Sequence, residues 1–327
     1  MITIFLYDQK TDQIREDVDR EEIQSVLEDP DKLLWLDMED PALEDYDILR
    51  DQFRFHPLLI RDCINPQYIP KCDEMDDYIF LVLHSVYYYR EKEEEEALSI
   101  REIDFFVGKN FLVTVHNGHI KAATVNRDLC RKSCKIMAEG SGRLLYHILD
   151  TMADNYIAII NKVTDRMDSL EDAIIASIRP EMLTGILEMK RNIMTMRKVL
   201  LPQSELIYQF CHGKFSYVRG EQIMYFKDIY DHMVRITSMV ENLREMGQSL
   251  LEAYHSTISF KLNDVMKVLT VIATIMMPMT LISGIGGMNV LFPFALRESL
   301  TGFWILVAFM LAAAVGLLIW FKKIRLM

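Results

Sequence analysis

The sequence predicts an α+β membrane protein: a cytoplasmic α/β domain, a long helical stalk and two transmembrane helices. Three observations predict it. Residues 1–141 alternate strand-like and helix-like stretches, and from residue 142 onward apolar residues recur at three- and four-residue steps. Near the C-terminus, Val268 to Leu296 and Thr301 to Phe321 contain no Asp, Glu, Lys or Arg.

The α/β domain comes first, over 1–141. "MITIFLY", "KLLWLDM", "YIFLVLHSVYYY", "IREIDFFV" and "NFLVTVHN" are rich in β-branched and aromatic residues and are bounded by turn residues, so they read as strands. "PALEDYDILRDQF" and "HPLLIRDCI" read as helices between them. "REKEEEEAL" is expected to be a solvated hairpin loop. The N-terminus lacks the basic region and long apolar core of a signal peptide. Cys63, Cys72, Cys130, Cys134 and Cys211 show no paired zinc spacing and are expected to be reduced and structural.

A helical region follows over 142–266. One long helix begins at Gly142 and is broken by Arg179-Pro180. A second runs from Glu181 and bends or ends near Pro202. A third starts near Gly220 or Glu221 and meets no proline until Pro278. Continuous to Gly286, it would be about 65 residues and roughly 100 Å long. Ile223, Phe226, Tyr230, Met233, Ile236, Val240, Leu243, Leu250 and Tyr254 are spaced for packing along its length.

That helix carries the first span, 267–287, and the second span is 301–321. Each has the ~20 apolar residues needed to cross ~30 Å of hydrocarbon. Lys261 and Lys267 precede the first span, and Lys322, Lys323 and Arg325 follow the second. The positive-inside rule then puts both termini in the cytoplasm and the 288–300 loop outside, with 322–327 as a basic tail. This is the topology of a multi-pass protein of the inner (plasma) membrane. Residues 267–327 carry five basic side chains and one acidic, so of a net charge of −12 the first 266 residues hold −16. Such a body repels nucleic acid and attracts cations.

Asn263, Met266, Leu269, Ala273, Met277, Thr280 and Gly284, continuing to Asn289, share one side of the first span. Small and polar residues lie toward the outer end and large apolar ones deeper. Around an axis of several copies this face would line a narrow pore with greasy constrictions. It suits close helix–helix packing equally well, and periodicity does not choose between the two. No histidine pair of the HExxH kind, nucleophile motif or Gly-x4-Gly-Lys-Ser/Thr loop is present, so neither an enzyme nor a nucleotide site is expected.

Gly287-Met288-Asn289 after "MKVLTVIATIMMPMTLISGI", a short outer loop, a second span and a basic end together resemble the CorA magnesium transporters. The resemblance implies a homopentameric funnel with a central pore lined by the first span. It implies a selectivity filter at Gly286, Gly287, Met288 and Asn289. Mg2+ sheds water reluctantly, so a filter of amide and peptide oxygens suits the hydrated ion better than carboxylates. The family usually has Tyr before this motif and an aromatic after it; here they are Gly286 and Val290. The resemblance also implies regulatory Mg2+ held between cytoplasmic subunits, at Asp62 with Glu252 and at Asp154 with Asp228. Arg61 stands where the family can have an acid. The implied function is channel-like passage of hydrated Mg2+ into the cytoplasm, with Co2+ or Ni2+ as passengers. The membrane potential would drive it, at about 4.6 kcal/mol per ~100 mV for a divalent ion. The alternatives are a Zn2+ transporter on the same scaffold and a non-conducting, membrane-anchored cation sensor.

Overall fold

The computed structural model describes residues 1–327 apart from 17, 67–68, 93–94, 213–221, 289–299 and 325–327. The chain divides into two compact units. One comprises Met1–Asp172 and Pro180–Leu250, the other Ala173–Arg179 and Leu251–Met327.

In the first unit the strands are Ile2–Asp8 (β1), Gln13–Glu16 (β2), Lys32–Glu39 (β3), Lys71–Glu74 (β4), Tyr78–Lys92 (β5), Glu95–Gly108 (β6) and Phe111–His116 (β7). They form one sheet in the order β2-β1-β3-β7-β6-β5-β4. Only β3 and β7 pair in parallel. The predicted strands are all present. β2 and β4 join them as short edge strands whose polar sequences, QIRE and KCDE, carry no apolar alternation. The acidic "REKEEEEAL" run differs from its expected form. β5 and β6 stay paired through Arg90↔Glu96 and Lys92↔Glu95, leaving only 93–94, outside the described residues, as connection. Backbone groups make that ladder, and charged side chains do not forbid it.

Strand alternation gives the sheet two apolar faces. Ile4, Leu6, Leu34, Leu36, Phe80, Val82, Phe106 and Val113 pack under α1 (Ile23–Leu27), α2 (Asp47–Asp51) and α3 (Pro57–Ile64). Phe5, Trp35, Leu81, Ile103 and Phe105 face the opposite layer. That layer holds α4 (Lys121–Lys132), α5 (Lys135–Ala138), α6 (Ser141–Ala176), α7 (Pro180–Cys211) and the first part of α8 (Gln222–Gly286). Local chemistry sets the helix ends. His56 caps α3 by accepting the Leu58 N–H at Nδ1, 3.2 Å, and Pro57 takes the first turn, where no N–H is required. Pro180 opens α7 in the same way.

Pro202 neither ends nor interrupts α7. Val199, Leu200, Leu206, Ile207 and Phe210 on both sides of it are buried, and their packing outweighs the one backbone bond a proline removes. The next residue, Gln203, accepts the His84 N–H at 2.7 Å on a stretch of β5 that β4 does not reach. The Tyr156 hydroxyl donates to the His84 carbonyl at 2.5 Å and Asn155 to the Val86 carbonyl at 2.8 Å. Helical side chains thus complete the sheet edge.

α8 is continuous over 65 residues and passes through Pro278. Its predicted start, Gly220 or Glu221, lies outside the described residues. In the second unit α8 is accompanied by α9, Leu300–Lys323. Both helices are long and apolar enough to cross a membrane.

Candidate ion pathway and cation-binding clusters

The span portion of α8 exposes apolar residues widely, including Val265, Val268, Ile272, Met276, Leu281 and Ile285. Exposed apolar surface of this extent calls for lipid or protein against it. The less exposed positions are Val271, Thr274, Ile275, Pro278, Met279 and Ile282, which recur every three or four residues along one side. At the outer end of that side a Cβ on Gly286 would meet Leu306 of α9 at 3.5 Å. α9 therefore backs this side of α8.

Asn263, Met266, Leu269, Ala273, Met277, Thr280 and Gly284 are all exposed. From Ala273 outward they are offset by two residues, about 200° of helix rotation, from the backed positions. Ala273, Met277, Thr280 and Gly284 thus share a side turned away from the backed positions, whereas from Lys261 to Thr270 every residue is exposed and no side is set apart. A groove of about 670 Å3 runs along it, lined by Ala273, Met277, Thr280 and Gly284 together with Met276 and Met288. A Cβ added at Gly284 would meet nothing within 4 Å. The Thr280 hydroxyl donates to the Met276 carbonyl at 2.8 Å. Its proton is committed to the backbone, and the oxygen offers lone pairs, the polarity a hydrated cation needs.

At the outer end, Gly287 N–H donates to Ser283 at 2.9 Å and Met288 N–H to Ile285 at 3.1 Å, closing the last turn. The final carbonyls of a helix lack intrahelical donors and carry partial negative charge, which favours cations. Asn289 and the outer loop to Ser299 lie outside the described residues, as does Arg325 of the basic tail.

Of the predicted regulatory carboxylates, Asp154 and Asp228 both act on the Asp150 carboxyl. Asp62, on α3, is partly buried and accepts from Lys71 Nζ at 2.6 Å; the same ammonium reaches Asp73 at 2.9 Å. Arg61 beside it is exposed. Glu252 is exposed on α8 and belongs to the second unit, whereas Asp62 belongs to the first. Asp154, exposed on α6, lies one helical turn from Asp150.

Asp228 is drawn into a group the sequence reasoning missed. Ligand atoms of Asp150, Asp228 and His232 all lie within 4.8 Å of one another. His232 Nδ1 is 3.5 Å from Asp150 Oδ1, and the Tyr146 hydroxyl donates to Asp228 at 2.8 Å. Burial, then the charge of Asp154, pushes the Asp150 carboxyl up. Burial and the bond to Asp228 push the Tyr146 hydroxyl up to about 12. Two carboxylates and an imidazole can hold a divalent ion that keeps part of its water. The signal was present: Asp150/Asp154 on α6 and Asp228/His232 on α8 both have the four-residue spacing that stacks side chains on one face.

Residues 30–323 match the family described as "CorA-like Mg2+ transporter protein". The cobalt/magnesium transport protein CorA of Thermotoga maritima is 32% identical over 278 residues, covering 83% of this chain and 76% of that one. Among solved structures, the CorA magnesium transporter of Methanocaldococcus jannaschii superposes with a TM-score of 0.83 at 23% identity, covering 99% of this chain and 98% of that one. The ZntB cytoplasmic domain of Vibrio parahaemolyticus shares the fold at a TM-score of 0.61 and 10% identity, covering 79% of this chain and 98% of that one.

Proposed function

The chain belongs to the CorA-like Mg2+ transporter family, and on that premise we propose that it carries hydrated Mg2+ into the cytoplasm through a pore made by five copies. The observation that carries this reading is the uncovered face of α8. Ala273, Met277, Thr280 and Gly284 stay exposed together while α9 backs the other side, and Asn263, Met266 and Leu269 continue the same helical face inward. Copies arranged around an axis would turn these faces inward. α9 would then face lipid, with both termini in the cytoplasm and the protein in the plasma membrane.

At the mouth, Gly286, Gly287, Met288 and Asn289 would form a ring of peptide and amide oxygens. It would grip the ion through its hydration shell, helped by the negative end of α8. Met266, Leu269 and Met277 would form the apolar constrictions, which close by losing water. Co2+ and Ni2+, similar in charge and hydration, would follow Mg2+. The inside-negative potential drives entry without nucleotide.

Internal Mg2+ would hold the pore shut by neutralising carboxylates at Asp62, Glu252, Asp154 and Asp228. Without it, their mutual repulsion favours an open arrangement. His232 and Asp150, grouped with Asp228, add an imidazole to that set and favour Co2+ beside Mg2+ as an internal effector.

The test is flux of Mg2+, Co2+ and Zn2+ into proteoliposomes at a set inside-negative voltage. Mg2+ uptake is expected, and Asn289→Ala should reduce it at least tenfold, about 1.4 kcal/mol of barrier. Undiminished flux in that variant removes the proposed filter. Zn2+ uptake with Mg2+ neither moving nor blocking would replace the reading with zinc transport. Intact oligomers passing no divalent ion would replace it with a cation sensor.

A further inference from the structure

A second set of metal-binding side chains lies inside the first unit, between the sheet and α3. The β5–β6 register sets His84 opposite Glu102, and Asp104 follows Glu102 on the same face. Cys63 of α3 lies over this row. The four side chains line a cavity of about 210 Å3, which Arg101, His116 and Asn117 also border. His84, Asp104 and Cys63 are 1%, 2% and 3% exposed.

Leu59, Ile60, Val82, Phe106 and Val115 pack beside Cys63 on this face of the sheet. Polar groups in such a place are costly unless each is satisfied. The Cys63 thiol is hydrogen-bonded to the Asp104 carboxyl group, yet Asp104 Oδ1 has no hydrogen-bond partner. His84 Nε2 stands 3.7 Å from Glu102 Oε2. That is too long for a hydrogen bond. It is close to the ~3.4 Å that separates two ligands each ~2.1 Å from one tetrahedral ion.

We propose that this cavity binds one divalent transition-metal ion, of the Zn2+, Co2+ and Ni2+ class, through Cys63, His84, Glu102 and Asp104. A thiolate and an imidazole select such ions over Mg2+. The Cys63 thiol releases its proton to solvent as the metal–sulfur bond forms, and any proton on Asp104 leaves in the same way. Side-chain rotations bring the two pairs, Cys63–Asp104 and His84–Glu102, into one coordination sphere, and the orphaned Asp104 oxygen gains its partner. The site is separate from the Asp150–Asp228–His232 group, which has no sulfur.

Co2+ titrated into the full-length, detergent-solubilised protein under reducing conditions tests this. A thiolate-to-cobalt charge-transfer band should grow in the near ultraviolet and saturate at one ion per chain. Excess Mg2+ should leave it in place. Cys63→Ser should abolish the band while Cys72→Ser leaves it unchanged. Asp104→Asn, nearly isosteric, should weaken Co2+ binding at least about tenfold. No band in the wild type, or a band that persists in Cys63→Ser, would overturn the assignment. So would equal displacement by Mg2+.

Discussion

A cation arriving at Asp62 meets Lys71 first. The ammonium already occupies Asp62 at 2.6 Å and shares itself with Asp73. Regulatory Mg2+ at Asp62 must displace it, so Lys71→Met should strengthen the site. A charged hydrogen bond contributes about 1.5–3 kcal/mol, and partial exposure of both side chains screens it toward the lower end. The Mg2+ concentration that protects the cytoplasmic region from protease should therefore fall about tenfold. Asp62→Ala combined with Glu252→Ala should raise it. An unmoved midpoint in both variants would mean that Asp62 is not a ligand. At Asp150 a proton competes with the metal ion. Burial and Asp154 raise its carboxyl above the ordinary range, so the folded protein holds this proton more tightly than the unfolded chain does. Stability from the protonated form is present at low pH and is lost as pH rises through the raised value. A divalent ion must displace the same proton. Co2+ binding at the Asp150–Asp228–His232 group should thus tighten as pH climbs above the ordinary carboxylate range. At acidic pH, Asp150→Asn should release fewer protons per ion in calorimetry across buffers of different ionisation enthalpy.

Among the elements, the span of α8 carries the transport argument, and its two kinds of position should respond oppositely. Leu269→Asn places an amide at an apolar constriction, keeps it wet and should raise resting flux several-fold. Gly284→Leu fills a place where a Cβ now meets nothing and should lower flux. If both leave flux unchanged, this face does not line the passage. The same helix shows what could be read before any coordinates. Its length and its continuity to Gly286 follow from apolar spacing and the lack of a proline before Pro278; its uncovered face does not, because the same spacing suits close helix packing. The principal strands were legible from their β-branched alternation. β2 and β4 were not, because a four-residue polar edge strand is held by its neighbour's backbone and leaves no pattern of its own. Pro202 read as a bend or an end because propensity is local, while the packing that carries α7 through it comes from distant residues. Asp150 and His232 were missed for a related reason. Each pair was visible on its own helix, but their meeting depends on how α6 and α8 pack in the first unit.

At the scale of the whole molecule, charge and assembly act together. The first 266 residues hold a net −16, and gathering five copies would set like charges against one another. Under the proposed gating, divalent ions between them would offset that repulsion, and their departure would restore it. Neither the number of copies nor their symmetry is written in the spacing of apolar residues; both come from the family. α8 runs unbroken from Gln222 to Gly286. It supplies Asp228 and His232 to the first unit and Thr280 and Gly284 to the second without a break in its hydrogen-bonded spiral. One residue inserted after Leu250 and kept helical would swing everything beyond it by about 100°. Seven would fall only about 20° short of two whole revolutions. Transport should vanish with the first insertion and largely return with the second, as a shaft works again once its keyway comes round.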